Sequence, residues 1–340
     1  MEIIALDGLK EILAQPQKIF ITTHTKPDGD AIGSSLALYH YLVQCGHNVK
    51  VVVPTAIPDF LEWLPGAGEI ISFDRNKEQG VQVLEQADLM FCLDFNKYER
   101  TQDILPYLSN ARQPKVLIDH HLFPDLEKFN YLYSAPEKSS TAEMIYDFIQ
   151  MMGAGEKINL PVMQAIYTGM LTDTGSFRFP ATGASVHQII ADFKMRGFEH
   201  AEIHELIFDT WSENRMRLMG YLFYEKLSVD HDNGFGYIHI TKEELERFAA
   251  GPNDTEGMVN MITSIRLIKV GVLITERNDA LKLSFRSKGS IDVNLFAKSH
   301  FNGGGHFNAS GGTSHLSWPE TEQILLDKLP KFIHSSLNLS

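Results

Sequence analysis

Four stretches of this chain deliver aspartate or histidine where an apolar element stops. His24-Thr25-Lys26-Pro27-Asp28-Gly29-Asp30 holds a histidine and two aspartates in one short segment. Asp94 closes the apolar run Leu89-Met90-Phe91-Cys92-Leu93, Asp119-His120-His121 follows Leu117-Ile118, and Asp173 ends the segment 165–172. Carboxylates gathered in one buried place repel each other unless cations neutralise them. Aspartate oxygens are hard ligands, and imidazole is accepted by manganese and other transition metals. Singly, each residue has a plainer reading: a strand-terminal aspartate is usually a helix cap or turn former, and a histidine pair is often satisfied core. Jointly they predict a dinuclear metal site, because loops after separate parallel strands converge on one sheet edge. Asp94 is suited to bridge two ions, and His120 and Asp173 complete the second. Gly29 is expected to let the backbone turn sharply between Asp28 and Asp30, and Gly33 to ease entry into the next helix.

The elements that must position these residues alternate. Strand patterns at 18–22, 49–53, 89–93 and 115–118 are dense in apolar residues rather than alternating, which suits a parallel sheet covered by helices on both faces. Helical patterns run over 31–44, 139–152, 160–172 and 185–196, the second with a Ser-Ser-Thr start and Glu143 as a capping arrangement. A charged helical stretch over 199–227 reads in part as a connector. A second, smaller α/β set follows: 236–240, 241–249, 254–265, 269–276, 281–286 and 291–300, then a glycine-rich loop. Gly303-Gly304-Gly305 permits close backbone approach to an anion, and Arg286 beside Ser287 can fork onto a phosphate. A flexible connection is the plainer reading of such a glycine run.

The chain has 340 residues, 44% hydrophobic and 21% charged, as expected of a soluble protein of two domains. No apolar stretch is long enough to span a membrane, and the N-terminus lacks the basic start of a signal peptide. Two cysteines, Cys45 and Cys92, make a disulfide framework implausible and point to a reducing, cytoplasmic setting. A net charge of -13 argues against a protein that grips long nucleic acid through its phosphates. Short or mononucleotide substrates stay open, since two divalent cations would offset the four aspartates of the site.

These motifs resemble those of the DHH phosphoesterase family, in its two-domain branch with a C-terminal DHH-associated domain. The matching residues are His24 to Ser34, Leu93-Asp94, Asp119-His120-His121 and Thr172 to Phe177, then Ser284 to Ser287 and Gly303 to Gly311. The resemblance implies two manganese ions, one on His24, Asp28 and Asp94 and one on Asp30, Asp94, His120 and Asp173. It gives Asp119 the part of orienting its neighbours and turns His121 toward the substrate phosphate. It assigns residues 1–190 to the catalytic domain, 191–228 to a helical connector and 229–340 to a substrate-binding domain. There Arg286, Ser287, Gly304, Gly305 and His306 take the substrate. Ligand types leave cobalt and magnesium open beside manganese.

Within the family the chain is most similar to stand-alone bacterial oligoribonucleases that also dephosphorylate 3'-phosphoadenosine 5'-phosphate (pAp). That implies two-metal hydrolysis of short RNA to mononucleotides and of pAp to AMP, with no side-chain nucleophile. The alternative is a soluble phosphodiesterase for cyclic di-AMP or pApA. Partners are then small nucleotides, with no long duplex and no membrane, and assembly is left between monomer and homodimer. Phe301, Phe307 and Tyr237 are candidates for base stacking or for core.

Overall fold

The computed structural model describes residues 2–4, 6–251 and 254–338, and the chain divides into two compact units, Met1–Thr210 and Trp211–Ser340. The stretch expected as a connector, 191–228, falls on both sides of that boundary.

The first unit is built on seven strands: β1 (Glu2–Ile4), β2 (Lys18–Thr22), β3 (Asn48–Val53), β4 (Ile71–Ser72), β5 (Leu89–Leu93), β6 (Lys115–Asp119) and β7 (Tyr131–Ser134). Their order is β1-β7-β6-β5-β2-β3-β4; β1 is antiparallel to β7, and every other pairing is parallel. Side chains of one strand alternate between two cores. Leu89, Phe91 and Leu93 of β5 join one cluster, Met90 and Cys92 the other. Ile19 and Ile21 of β2 likewise part from Phe20. Apolar residues at every position are therefore required, since neither face meets water. Each large side chain so buried contributes roughly 1.5–3 kcal/mol.

Helices cover both faces: α1 (Leu6–Leu13), α2 (Gly29–Gln44), α3 (Lys77–Gln86), α4 (Leu105–Asn110), α5 (Thr141–Met151), α6 (Leu160–Asp173), α7 (Ala184–Met195) and α8 (Ala201–Phe208). Leu36 of α2, Ile145 of α5 and Ile166 of α6 fill one core, and Leu84 of α3 and Leu108 of α4 the other. The layered α/β reading of the sequence is borne out. The capping arrangement at α5 is half made. Ser140 accepts from the Glu143 amide at 3.1 Å, while the Glu143 carboxylate turns to Ser139.

The second unit has six strands: β8 (Ser228–Asp230), β9 (Phe235–Ile240), β10 (Val270–Arg277), β11 (Ala280–Ser287), β12 (Gly304–His306) and β13 (Ala309–Ser314). Their order is β12-β13-β11-β10-β9-β8, with only β9 and β10 parallel. Its helices are α9 (Glu213–Tyr221), α10 (Lys242–Arg247), α11 (Met258–Ile262), α12 (Val293–His300) and α13 (Trp318–Asn338). Phe285, Phe296, Phe301 and Leu329 form a core on one face; Ile238, Leu273 and Ile262 form another. Phe301 is thus core.

The glycine-rich loop expected after residue 300 is instead a strand pair. β12 pairs with β13, because a Cβ on Gly303 would strike the Gly311 carbonyl and one on Gly312 would lie 2.8 Å from Phe301 Cβ. The glycines serve close approach of chains rather than looseness. Among the described residues no helix is long and apolar enough to cross a membrane.

Candidate metal centre

The C-terminal ends of β6, β5 and β2 are neighbours. The chain runs outward from β2 to β3 and β4, then returns to the other side of β2 with β5. That reversal opens a crevice at the strand ends, where α/β sheets build their sites. His24 lies two residues beyond β2, Asp94 directly beyond β5, and Asp119-His120-His121 at the end of β6. Asp28 and Asp30 arrive on a helix start rather than the loop expected, and Asp173 at the end of the helix read over 160–172. Asp28 caps α2, Asp30 is in its first turn, and Asp173 is the last residue of α6.

Helix packing brings these helix ends in. A Cβ on Gly33 would sit 2.5 Å from the Ala165 carbonyl oxygen, so α2 and α6 cross with backbones in contact. Gly33 therefore serves this crossing inside α2, not helix entry. Gly29 likewise needs its missing side chain because Thr172 occupies the space, and its φ is not left-handed, so no sharp turn is involved.

His24, Asp28, Asp30 and His120 are each aimed by a second partner. His24 Nδ1 donates to the Thr25 carbonyl at 2.9 Å, leaving Nε2 to face Asp94 Oδ2 at 3.3 Å and Asp28 Oδ2 at 3.9 Å. Asp28 Oδ1 accepts from the amides of Asp30 and Ala31, which leaves Oδ2 for the site. Asp30, 1% exposed, accepts from the Thr141 and Ala142 amides at 2.7 and 2.8 Å, so the N-terminus of α5 fixes its orientation. His120 donates Nδ1 to the Lys138 carbonyl at 3.4 Å, and its Nε2 lies 3.5 Å from Asp94 Oδ1, 3.8 Å from Asp30 and 3.7 Å from Asp173. Such outer bonds fix tautomer and aim in metal sites.

Three overlapping ligand groups result. His24, Asp28 and Asp94 offer atoms within 4.8 Å of one another, as do Asp30, His120 and Asp173, and as do Asp94, His120 and His121. Asp94 turns Oδ2 to His24 at 3.3 Å, and Oδ1 to His120 at 3.5 Å and His121 at 3.7 Å. Its backbone is left-handed (φ 63°), a strained state for a buried non-glycine residue and one that concentrates at functional sites. Thr141 Oγ1 donates to Oδ1 at 3.0 Å.

The electrostatics fit cations. Burial disfavours charged histidine, but the hydrogen bond and charge of Asp94 prevail, raising His24 and pushing His120 up to about 10. Burial also works against Asp94, yet bonds from His120 and His24 hold it well below the usual carboxylate range. Asp30 is raised well above that range by burial and then by Asp94 and Asp173. Burial lifts Asp173 to about 6, with His120 opposing and Asp94 assisting. The cluster retains protons where positive charge is needed. Asp119 Oδ2 is buried and has no hydrogen-bond partner among the described residues. Hard oxygens, imidazole nitrogens and an orphaned carboxylate oxygen together suit divalent cations.

Asp119 Oδ1 accepts from His121 Nδ1 at 2.8 Å. His121 Nε2 in turn accepts from Arg100 Nη1 at 2.8 Å. The sequence reading missed Arg100. It lies in a short 3-10 segment, Tyr98–Ile104, with no periodicity to mark it, and its only signal is its place soon after Asp94.

In the second unit Arg286, Ala309 and His306 pair across β11, β13 and β12 on one rung. Two strand spacings put the outer backbones roughly 10 Å apart. Gly304 pairs with Gly311, and Gly305 has φ 144°. The Arg286 guanidinium is half-buried and donates to the Phe285 carbonyl at 2.9 Å. Ser287 spends its hydroxyl on the Ile291 carbonyl and its amide on the Asn308 carbonyl, and Asn308 Nδ2 donates back to Ser287 Oγ. The side chain of His306 lies outside the described residues. Tyr237 donates its hydroxyl to Glu322 at 2.7 Å, while Phe307 is half exposed.

The profile of the DHH family, N-terminal domain, matches residues 18–170, and that of the DHHA1 domain matches residues 239–335. The bifunctional oligoribonuclease and PAP phosphatase NrnA of Bacillus subtilis is 30% identical over 311 residues, covering 91% of this chain and 93% of its own. This chain belongs to the DHH family. The crystal structure of an exopolyphosphatase-related protein from Bacteroides fragilis superposes with a TM-score of 0.93, at 37% identity over 97% of this chain and 96% of that one. The cyclic-di-AMP phosphodiesterase PdeA of Listeria monocytogenes is more distant, at 25% identity, and the match spans 49% of its length. As a DHH member with this ligand cluster, the chain is an enzyme of the phosphodiesterase and phosphatase class that uses divalent metal.

Proposed function

We propose that this enzyme hydrolyses short oligoribonucleotides to mononucleotides and pAp to AMP in the cytoplasm, with two manganese ions. The observation that carries the reading is Asp94 turning one oxygen to each of two ligand groups in a chain so similar to NrnA over nearly its whole length. His24, Asp28 and Asp94 would hold one ion, and Asp30, Asp94, His120 and Asp173 the other. Bound there, the ions supply Lewis-acid activation of water and neutralise phosphoryl charge.

The chain's own residues do the rest. Thr141 and the first amides of α5 aim Asp94 and Asp30 inward. Asp119 fixes the His121 ring, so that His121 faces the phosphate in one orientation. In the second unit, Arg286, Ser287, Gly304, Gly305 and His306 are assigned to substrate binding. No side-chain nucleophile is needed.

A manganese-supplemented panel of pAp, a labelled RNA dinucleotide, a 24-mer, cyclic di-AMP and pyrophosphate tests this. Turnover of pAp and the dinucleotide with the others spared is the expected result. Preference for cyclic di-AMP or pApA would favour the reading suggested by PdeA, with the same metal residues. Silence on every substrate would overturn the function.

A further inference from the structure

We propose that Arg100 is a substrate-contacting catalytic residue, its guanidinium taking a non-bridging oxygen of the scissile phosphate beside His121. The proposal rests on the phosphoesterase reading and names a residue of the same site.

Arg100 is half-buried, and both of its side-chain bonds go through Nη1: to His121 Nε2 at 2.8 Å and, weakly, to the Asp94 carbonyl at 3.5 Å. Its Nε and Nη2 donate to nothing among the described residues, and no carboxylate there lies within ion-pair distance of it. A partly buried guanidinium normally finds a carboxylate, since its forked donors match one. Here five aspartates crowd nearby, yet its side-chain partner is an imidazole nitrogen.

The backbone holds this arrangement deliberately close to the ligands. The Arg100 carbonyl accepts from the Thr25 amide at 2.8 Å, tying the segment to the residue after His24. Thr25 Oγ1 also donates to Gln102 Oε1 at 3.2 Å, and Gln102 has a left-handed φ of 44°. The segment is thus pinned to the metal loop with Arg100 turned toward the histidine.

Charge argues the same way. Asp28, Asp30, Asp94, Asp119 and Asp173 outweigh two divalent cations by one negative charge, before any phosphate arrives. Lys138 is spent, paired to Glu143 at 2.9 Å and to Asp147 at 2.6 Å. Arg100 beside His121 keeps Nε and Nη2 to offer. A donor placed on developing phosphoryl charge contributes most where water is excluded.

The test uses the manganese-loaded full chain and the variants Arg100→Gln, Arg100→Lys, His121→Ala and Arg100→Gln with His121→Ala. Inorganic phosphate affinity is measured by calorimetry, with kcat and KM on pAp and on an RNA dinucleotide. Arg100→Gln should keep wild-type metal content, weaken phosphate binding on the order of tenfold to a hundredfold, and lower kcat/KM roughly 10²- to 10³-fold. Arg100→Lys should recover part of both, and the double variant should fall well below His121→Ala alone. If Arg100 only positions His121, its effect will vanish in the His121→Ala background, and the proposal fails. Wild-type phosphate affinity in Arg100→Gln, or loss of metal from it, would also overturn the contact. A wild-type enzyme that binds phosphate but turns over neither nucleotide would instead refute the substrate reading alone.

Discussion

Replacing Gly33 with alanine adds one methyl group to a helix and should damage a metal centre that the methyl never touches. The new Cβ would lie 2.5 Å from the Ala165 carbonyl oxygen, 2.9 Å from the Gly169 nitrogen and 3.0 Å from its Cα. Ordinary contact begins near 3.4 Å, so α2 and α6 must part by about 0.9 Å, and all three obstructing atoms are backbone. Overpacking of this kind costs roughly 1–3 kcal/mol. Alanine returns about 1 kcal/mol in helix propensity over glycine. The net expectation is a loss of about 1 kcal/mol, read by denaturant unfolding of the metal-free protein. The larger effect is on ligand geometry, because Asp30 rides on α2 and Asp173 on α6. Ligand distances tolerate about 0.2 Å, well under the separation forced on the helices. Manganese affinity, measured by calorimetry, should therefore fall on the order of tenfold to a hundredfold, as when outer support of a site is lost. Gly220→Ala is the control: it lies in α9 with nothing within 4 Å of the added atom, and should leave both quantities level or improved. Wild-type manganese affinity in Gly33→Ala would refute the claim that this crossing sets the site.

Asp94→Ala should abolish both metal loading and hydrolysis, and a variant that retains two equivalents of metal by elemental analysis would remove Asp94 from its bridging place. Metal binding at pH 8 should release at least one proton, because His120 is pushed up to about 10 and must be neutral to ligate; calorimetry in buffers of different ionisation enthalpy reads this, and zero release would contradict it. Since that pKa is raised above 6.5, the His120 proton stabilises the metal-free fold fully below pH 6.5, and this contribution is lost as pH climbs through about 10. Arg286→Ala should raise KM for the dinucleotide with metal content unchanged, and an unchanged KM would take Arg286 out of substrate binding.

What could be read in the sequence follows from how local each determinant is. β5 was legible because Leu89 to Leu93 is apolar at every position, which only a strand buried on both faces requires, and Asp94 is conspicuous against it. The glycines were legible as residues but not as reasons. Gly33 needs no side chain because of Ala165 and Gly169, and Gly303 because of Gly311, so their neighbours are set by the tertiary fold. Asp173 was visible at the end of the helical pattern 160–172, yet what that place costs was not: a helix C-terminus is a poor place for a carboxylate, and the site tolerates it by letting its pKa climb to about 6 with His120 beside it. A cation would stabilise a carboxylate so placed more than one on a favourable loop, because the helix end leaves its charge unmet. The residues least favoured by local rules, Asp94 in a left-handed backbone and Asp173 at the wrong end of its helix, are those that stand to gain most from bound metal.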